Sequence, residues 1–472
     1  MTSADCLSDL CDDLLVSVIS FLPAREAART AALSRRWRLL WLLTNTHNLD
    51  SRSYCDTENL DLDDSWLRGD LDPFCLRDKL FSDASDALDA TGWCPVKKLA
   101  LFIKGYDADY CRDVMGTPRW EPPSRDDTYD LMASLIAAPA LRHVEELRVQ
   151  FKLEKQEDLY CVYHLDPALL PGDTLRVLDL TCCALKSAPG SAAAFFPRLS
   201  VLRLRSCSSS TKHFEDLIRA MPNLRSLHIE GHRFNSYLDR LVVLSPTLTT
   251  LTLVDGFGDR QGIELDTLCL RAFNYNRPLT EFSMKSQAAK LGHVDLTLEW
   301  MYEEDGRRVE LRRSAPFWEF LRNFRHVKSI RLKVQNLECI AVDRKEDVQH
   351  EHPVTLPGLE QLDLDIPYEP YRRDVAATAV ASFLRCCPII HDLRIRIATD
   401  NWDYHRCLSE FVMNLFQRRY SEDMVPPMLH RDHGCSQTVD LLGLAGCRFS
   451  CVQNSLKNIK LQFEFVDLDS FI

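Results

Sequence analysis
The sequence predicts an α/β chain built in two parts: a small N-terminal three-helix module, then a curved solenoid with parallel strands on its concave face. Two observations carry that prediction. Residues 7–41 crowd apolar side chains at helical spacing into a stretch too short to enclose them. Beyond about residue 95, one short apolar pattern recurs at nearly constant intervals.

In the N-terminal stretch, Asp12 or Asp13 is placed to cap a first helix, because a short carboxylate accepts hydrogen bonds from the free N–H groups of a first turn. Leu14, Leu15, Val18, Ile19 and Leu22 follow as one apolar stripe, and Pro23 ends the helix. An Ala-rich second helix runs to about Ala32. Ser34 is placed to cap a third, which carries Trp37, Leu40 and Trp41 on one side. Below about 40 residues a chain seldom supplies its own core, so the module is expected to be completed by a partner.

Residues 46–95 read as an acidic linker with a helix over 73–90; Asp56, Glu58, Asp61, Asp63, Asp64, Asp70 and Asp72 lie close together in it. They lack the ligand spacing of a calcium loop and read as a solvated segment. The repeats are placed at 96–400. Their best copies are Leu175-Arg-Val-Leu178-Asp-Leu180, Leu199-Ser-Val-Leu202-Arg-Leu204, Leu224-Arg-Ser-Leu227-His-Ile229 and Leu248-Thr-Thr-Leu251-Thr-Leu253. Their starts are 24 or 25 residues apart, in the leucine-rich-repeat range. Weaker copies begin at Val96, Val144, Leu279, Val327, Leu359, Ile390 and near Leu456. Alternating leucines put one strand face into a shared core that only stacked copies complete, and Cys183 and Cys207 are placed to plug the turn beneath. Return helices are expected over 213–221, 317–324, 376–385 and 404–419.

The net charge of −12 argues against wholesale binding of nucleic acid or an acidic membrane. No apolar run approaches the roughly 20 residues of a transmembrane helix, and the N-terminus has no signal-peptide pattern. A cytoplasmic or nuclear location is therefore expected, with most of the 18 cysteines reduced and buried.

Catalytic patterns are missing from the sequence: there is no GxxxxGK loop, GxSxG elbow or HExxH pair. Gly256, Gly258 and Gly262 lack nucleotide-loop spacing and read as a turn. His430, His433, Cys435, Cys447 and Cys451 are zinc-type donors without a CxxC knuckle to organise them. No catalytic residue, metal or cofactor is assigned. Arg25, Arg29, Arg35, Arg36 and Arg38 interleave the apolar helix positions and read as a solvated face, or as steering toward an acidic partner. The candidate binding face is the set of outward strand positions. It comprises Asp179, then Arg203 and Arg205, His228 and Glu230, Arg331 and Lys333, Asp363 and Asp365, and Arg394 and Arg396. Three basic rungs and one acidic rung are expected to select a target protein of complementary charge.

Leu10, the acidic pair Asp12-Asp13, Leu14, Leu15, Ile19, Phe21-Leu22-Pro23, Leu33-Ser34, Arg36-Trp37 and Trp41 resemble the F-box of plant F-box proteins. Cys11 stands where that family usually has proline. With the repeats behind it, the chain is similar to plant F-box/LRR proteins, many of which end in an FBD region. On this resemblance residues 4–45 are the F-box, and 401–472 are an FBD-like region that reads as truncated. The resemblance implies a non-catalytic substrate-recognition subunit of a Skp–cullin–F-box ubiquitin ligase. Leu10, Leu14, Ile19, Leu22, Pro23, Leu33, Trp37 and Trp41 would form or support the surface for a Skp-type adaptor, and through it a cullin. Two alternatives stay open. One is a non-ligase repeat scaffold or decaying duplicate; the other is a receptor gated by a small molecule.

Overall fold
The computed structural model describes residues 10–54, 72–91, 95–116, 130–154, 162–186, 195–234, 240–254, 262–285, 289–298, 315–334, 337, 340–341, 354–367, 373–398 and 449–464. The chain divides into two compact units, Met1–Leu270 with Met284–Ala288, and Arg271–Ser283 with Ala289–Ile472. The expected helix over 404–419, the glycines 256 and 258 and four of the five zinc-type donors lie outside the described residues. The fifth, Cys451, is buried and donates its thiol to the Leu384 carbonyl at 3.2 Å.

The first unit opens with three short helices, α1 (Asp12–Ile19), α2 (Ala24–Arg29) and α3 (Trp37–Leu40). The N-cap of α1 is Cys11, not an aspartate, and its carbonyl accepts the Leu14 and Leu15 amides at 3.1 Å. Asp12 and Asp13 sit inside the first turn, where negative charge meets the positive end of the helix dipole. Asp12 is held by Arg36 at 2.7 Å, and Arg36 also donates to the Leu10 carbonyl. Neither Ser34 nor any other side chain caps α3. Leu15, Ile19, Ala27, Trp37 and Leu40 close a small core, with Leu10, Val16, Leu22 and Trp41 packed around it.

Behind the helices run parallel strands β1 (Thr46–Asp50), β2 (Lys98–Gly105), β3 (Glu146–Leu153), β4 (Val177–Thr181), β5 (Val201–Arg205), β6 (Ser226–Glu230) and β7 (Thr250–Val254). Each pairs with the next. The register levels Leu178, Leu202, Leu227 and Leu251, all fully buried, so one leucine per repeat fills the same layer. Helices α4 (Pro73–Thr91), α5 (Ala108–Met115), α6 (Leu131–Ile136) and α7 (Thr211–Arg219) occupy the returns.

Each of β4, β5 and β6 is followed at once by a residue with left-handed backbone: Cys182 (φ 54°), Ser206 (φ 49°) and Gly231 (φ 57°). In two of them this costs about 1–2 kcal/mol of strain. A ladder offsets it: the three amides donate to Arg205, Glu230 and Val254 carbonyls at 2.9, 2.7 and 3.0 Å. The next residue in each case turns inward. Cys183 and Cys207 hydrogen-bond to the Thr181 and Arg205 carbonyls at 3.3 Å, and a buried His232 takes the third place, 2.9 Å from the Ser209 hydroxyl.

Strand β1 lies in the stretch read from sequence as linker, and it ties the helical module down. Asn48 donates to the Ser20 and Leu22 carbonyls at 2.8 and 3.0 Å, where α1 runs out of partners for its last carbonyls. Arg25 donates to the Ser53 carbonyl at 3.0 Å and lies over the Tyr54 ring.

The second unit has its own parallel ladder of β8 (Ala272–Asn276), β9 (His293–Leu298), β10 (Ser329–Val334), β11 (Gln361–Pro367), β12 (Asp392–Ala398) and β13 (Asn458–Glu464). Helices α8 (Ala315–Arg322), α9 (Arg373–Cys386) and α10 (Ser450–Asn454) accompany it. The copy expected at Leu279 is not a rung of this ladder; β8 and β9 are. Phe273 and Tyr275 fill the inward positions of β8, which leucines hold in β4 and β5. Phe282, from the Leu279 run, packs against Phe273 and against Phe320 of α8 with ring centroids 5.5 and 5.1 Å apart.

Candidate functional site
Two kinds of surface stand out, one apolar and one charged. The apolar one is on the helical module. The stripe of α1 divides: Leu15 and Ile19 point into the core, whereas Leu14 and Val18 are half exposed, and Phe21, seven residues after Leu14, is 81% exposed. Offsets of four and seven put these three on one side of the helix and its following turn. Leu33, Leu39 and Leu43 are also more than half exposed.

The expected adaptor residues therefore separate by position. Leu14 and Leu33 are on the surface, Leu10, Leu22, Pro23 and Trp41 are partly covered, and Ile19 and Trp37 are inside. Val18, Phe21, Leu39 and Leu43 are not among the expected adaptor residues, although Val18 belongs to the same apolar stripe and Phe21 follows Leu14 at a helical offset. Of the module's arginines, Arg25 and Arg36 are engaged locally, whereas Arg29, Arg35 and Arg38 are exposed.

The charged surface comes as two sets. In the first unit Asp179, expected to face solvent, is buried, its side chain only 4% exposed. Arg205 at 3.0 Å and Arg203 at 4.0 Å close over it from the adjacent strand. Arg205 also reaches Glu230 at 3.6 Å, and His228 Nε2 lies 3.2 Å from the same carboxylate. The rungs on β4, β5 and β6 are thus paired with one another before any partner arrives.

In the second unit the register sets Arg331, Asp363, Arg394 and Lys460 in one row across β10 to β13, and Lys333, Asp365, Arg396 and Gln462 in the next. Asp365 is clamped by Arg331 at 3.4 Å and by Arg396, whose Nε donates at 3.0 Å. Asp363 and Arg394 are 3.8 Å apart and more exposed. A cavity of about 250 Å³ opens over these rows. Basic rungs far apart in sequence flank a single acidic strand here. Lys460 and Gln462 were not among the residues singled out, yet they follow from the copy near Leu456 by the same alternation.

Among the described residues no group of His, Cys, Asp or Glu is arranged to hold a metal ion, and no helix is long and apolar enough to cross a membrane. Burial pushes the Cys111 thiol up to about 12 and raises that of Cys387 well above its ordinary value, the opposite of what a nucleophilic thiolate needs.

Comparison with known proteins agrees with this geometry. Residues 7–48 match the F-box domain, and residues 132–295 match the LRR repeats of FBD-associated F-box protein At5g56370. The chain is 27% identical over 276 residues to F-box/FBD/LRR-repeat protein At4g26340 of Arabidopsis thaliana, covering 56% of this chain and 53% of that protein. It is 26% identical over 354 residues to putative F-box/LRR-repeat protein At3g44090 of the same plant, covering 74% and 67%. The chain spans about half the length of the first of these relatives. It carries an F-box and FBD-associated leucine-rich repeats, and its homologues are plant F-box/FBD/LRR proteins.

Proposed function
We propose that this chain, an F-box joined to FBD-associated leucine-rich repeats, is the substrate-recognition subunit of a Skp–cullin–F-box ubiquitin ligase. One observation carries the reading. The helical module has closed a core of its own and still presents Leu14, Val18 and Phe21 in a stripe to solvent. An apolar patch that the fold does not need is a partner's surface. The Skp-type adaptor covers it, and the outward strand residues hold the target. Asn48 and Arg25 bind the module to the first strand and the turn after it, so the adaptor surface is fixed to the start of the first unit's strand ladder. The chain then acts by proximity, raising the local concentration of target lysines near ubiquitin carried by other subunits. It supplies no nucleophile, and it works in the cytoplasm or nucleus.

Co-purification with a Skp-type adaptor tests this, comparing the native chain with Phe21→Glu. Leu22→Asp is a poorer probe, since Leu22 packs on the module's core. The native chain is expected to form a stable complex that Phe21→Glu loses while its circular dichroism is unchanged. A folded native chain that binds no adaptor would overturn the receptor reading.

A further inference from the structure
Resting on the reading of the repeats as a target-binding face, we propose that the cavity over β11, β12 and β13 is a subsite for an anionic side chain of the target, a carboxylate or phosphate seated between Arg394 and Lys460. The argument is one of charge left over. Four cations, Arg331, Arg394, Arg396 and Lys460, line the cavity against two carboxylates, Asp363 and Asp365. This is a local excess of positive charge on a chain whose net charge is −12.

The two carboxylates do not share themselves evenly. Asp365 is mostly buried, with Arg331 and Arg396 both on it, so those two arginines are held in place by a partner they cannot leave cheaply. Asp363 meets Arg394 only at 3.8 Å, with both side chains substantially exposed. Pairs of that kind are worth about 0–1 kcal/mol and rearrange readily. On its other side Arg394 stands directly opposite Lys460 in the parallel register. Like charges directly opposite one another across a sheet are unfavourable. An anion between them removes that repulsion and gains the planar fork of an arginine with the point charge of a lysine.

Size decides the class of ligand. At about 250 Å³ the cavity lies below the roughly 300–1,000 Å³ typical of small-molecule sites, and it is open to solvent along the strands. It fits the tip of a side chain on a longer peptide better than a free metabolite. Its walls are charged, which favours an anion over an apolar anchor.

The test uses the full chain, alone and with a Skp-type adaptor added. Short random peptides are selected against the native chain and against one carrying Arg394→Gln and Lys460→Gln. The native chain is expected to enrich peptides with Asp or Glu, and the double variant to lose that enrichment. Enriched peptides are then measured by fluorescence anisotropy beside copies with each acid replaced by its amide or by phosphoserine. The amide copies are expected to bind at least about tenfold more weakly, with affinity falling as salt rises. Tighter binding of the phosphoserine copies assigns the site to phosphate; tighter binding of the parent peptides assigns it to carboxylate. An absence of acidic enrichment, or enrichment that survives the double variant, overturns the proposal. Adaptor co-purification is read in parallel. If it fails, the ligase reading is at fault; if it holds while the peptides ignore Arg394 and Lys460, only the subsite is.

Discussion
Phe21 and Trp37 are both large aromatic residues of one small helical module, and the structure predicts opposite consequences for truncating them. Phe21 is 81% exposed, so only about a fifth of its surface touches the fold. Full burial of such a side chain is worth about 1.5–3 kcal/mol, and Phe21→Ala should therefore cost at most about 0.5 kcal/mol of stability. Trp37 is 8% exposed and packs in the module's core. Trp37→Ala should cost about 3–5 kcal/mol, comparable to everything a core this small supplies. Binding is expected to separate them differently. As a central aromatic anchor, Phe21 should carry about 2–4 kcal/mol of adaptor affinity, roughly 30- to 1,000-fold in Kd. Trp37→Ala should lose binding only by unfolding the module, with a matching loss of helical signal. Urea unfolding by circular dichroism gives the stability arm and calorimetric titration with the adaptor gives the affinity arm. If Phe21→Ala destabilises by more than about 1 kcal/mol, or binds within about threefold of the native chain, the division of α1 into a core side and a partner side is wrong.

Three further outcomes follow from the same geometry. Asp179→Asn removes the charge between Arg203 and Arg205; breaking a fully buried pair costs about 3–5 kcal/mol, but these arginines are about a third exposed, so about 1–2 kcal/mol is expected. Amide exchange in β4 and β5 should speed up accordingly, and native-like protection there would count against the clamp. His47 is buried in β1 and burial lowers its pKa from 6.5 to about 4. The unfolded chain then takes up a proton near pH 6.5 that the folded chain refuses until about 4. This stability is complete above 6.5 and is lost as pH falls toward 4, by about 3 kcal/mol. Urea midpoints at pH 7 and pH 5 should differ less in His47→Leu than in the native chain. Cys11 stands at φ −69°, a value proline adopts, so Cys11→Pro should stabilise by about 0.4–1 kcal/mol and keep adaptor binding. A fall in melting temperature would show that the turn into α1 is not proline-compatible.

How far the fold was legible depended on how local its cause was. The ladder was written in the leucines at 178, 202, 227 and 251, because a strand face buried against its own copies needs the same residue type at each period. Where the core changed chemistry the pattern failed. Phe273 and Tyr275 hid β8, and a histidine at the inward position hid β1, whose only other core residue is Leu49. The run at Leu279 kept the spacing of a repeat but spent its Phe282 on an aromatic cluster.

The candidate surfaces divide along the same line. Alternation along a strand was enough to place Arg203, Arg331 and Asp365 outward, and helical offsets were enough to find the apolar residues of α1. By itself the sequence thus determined the class of module, the repeat and the set of residues able to face a partner, since each follows from a period along one element. The tertiary structure alone decided which of those residues remain available. Leu15 and Leu14 are equally apolar, but only contact with Trp37 and Leu40 makes one core and the other surface. Asp179 and Asp363 both face outward, but strand register buries the first under two arginines and leaves the second loosely held beside Arg394. Burial and charge pairing are properties of neighbours, and on the strands neighbours 24 to 31 residues away are set by how the repeats stack.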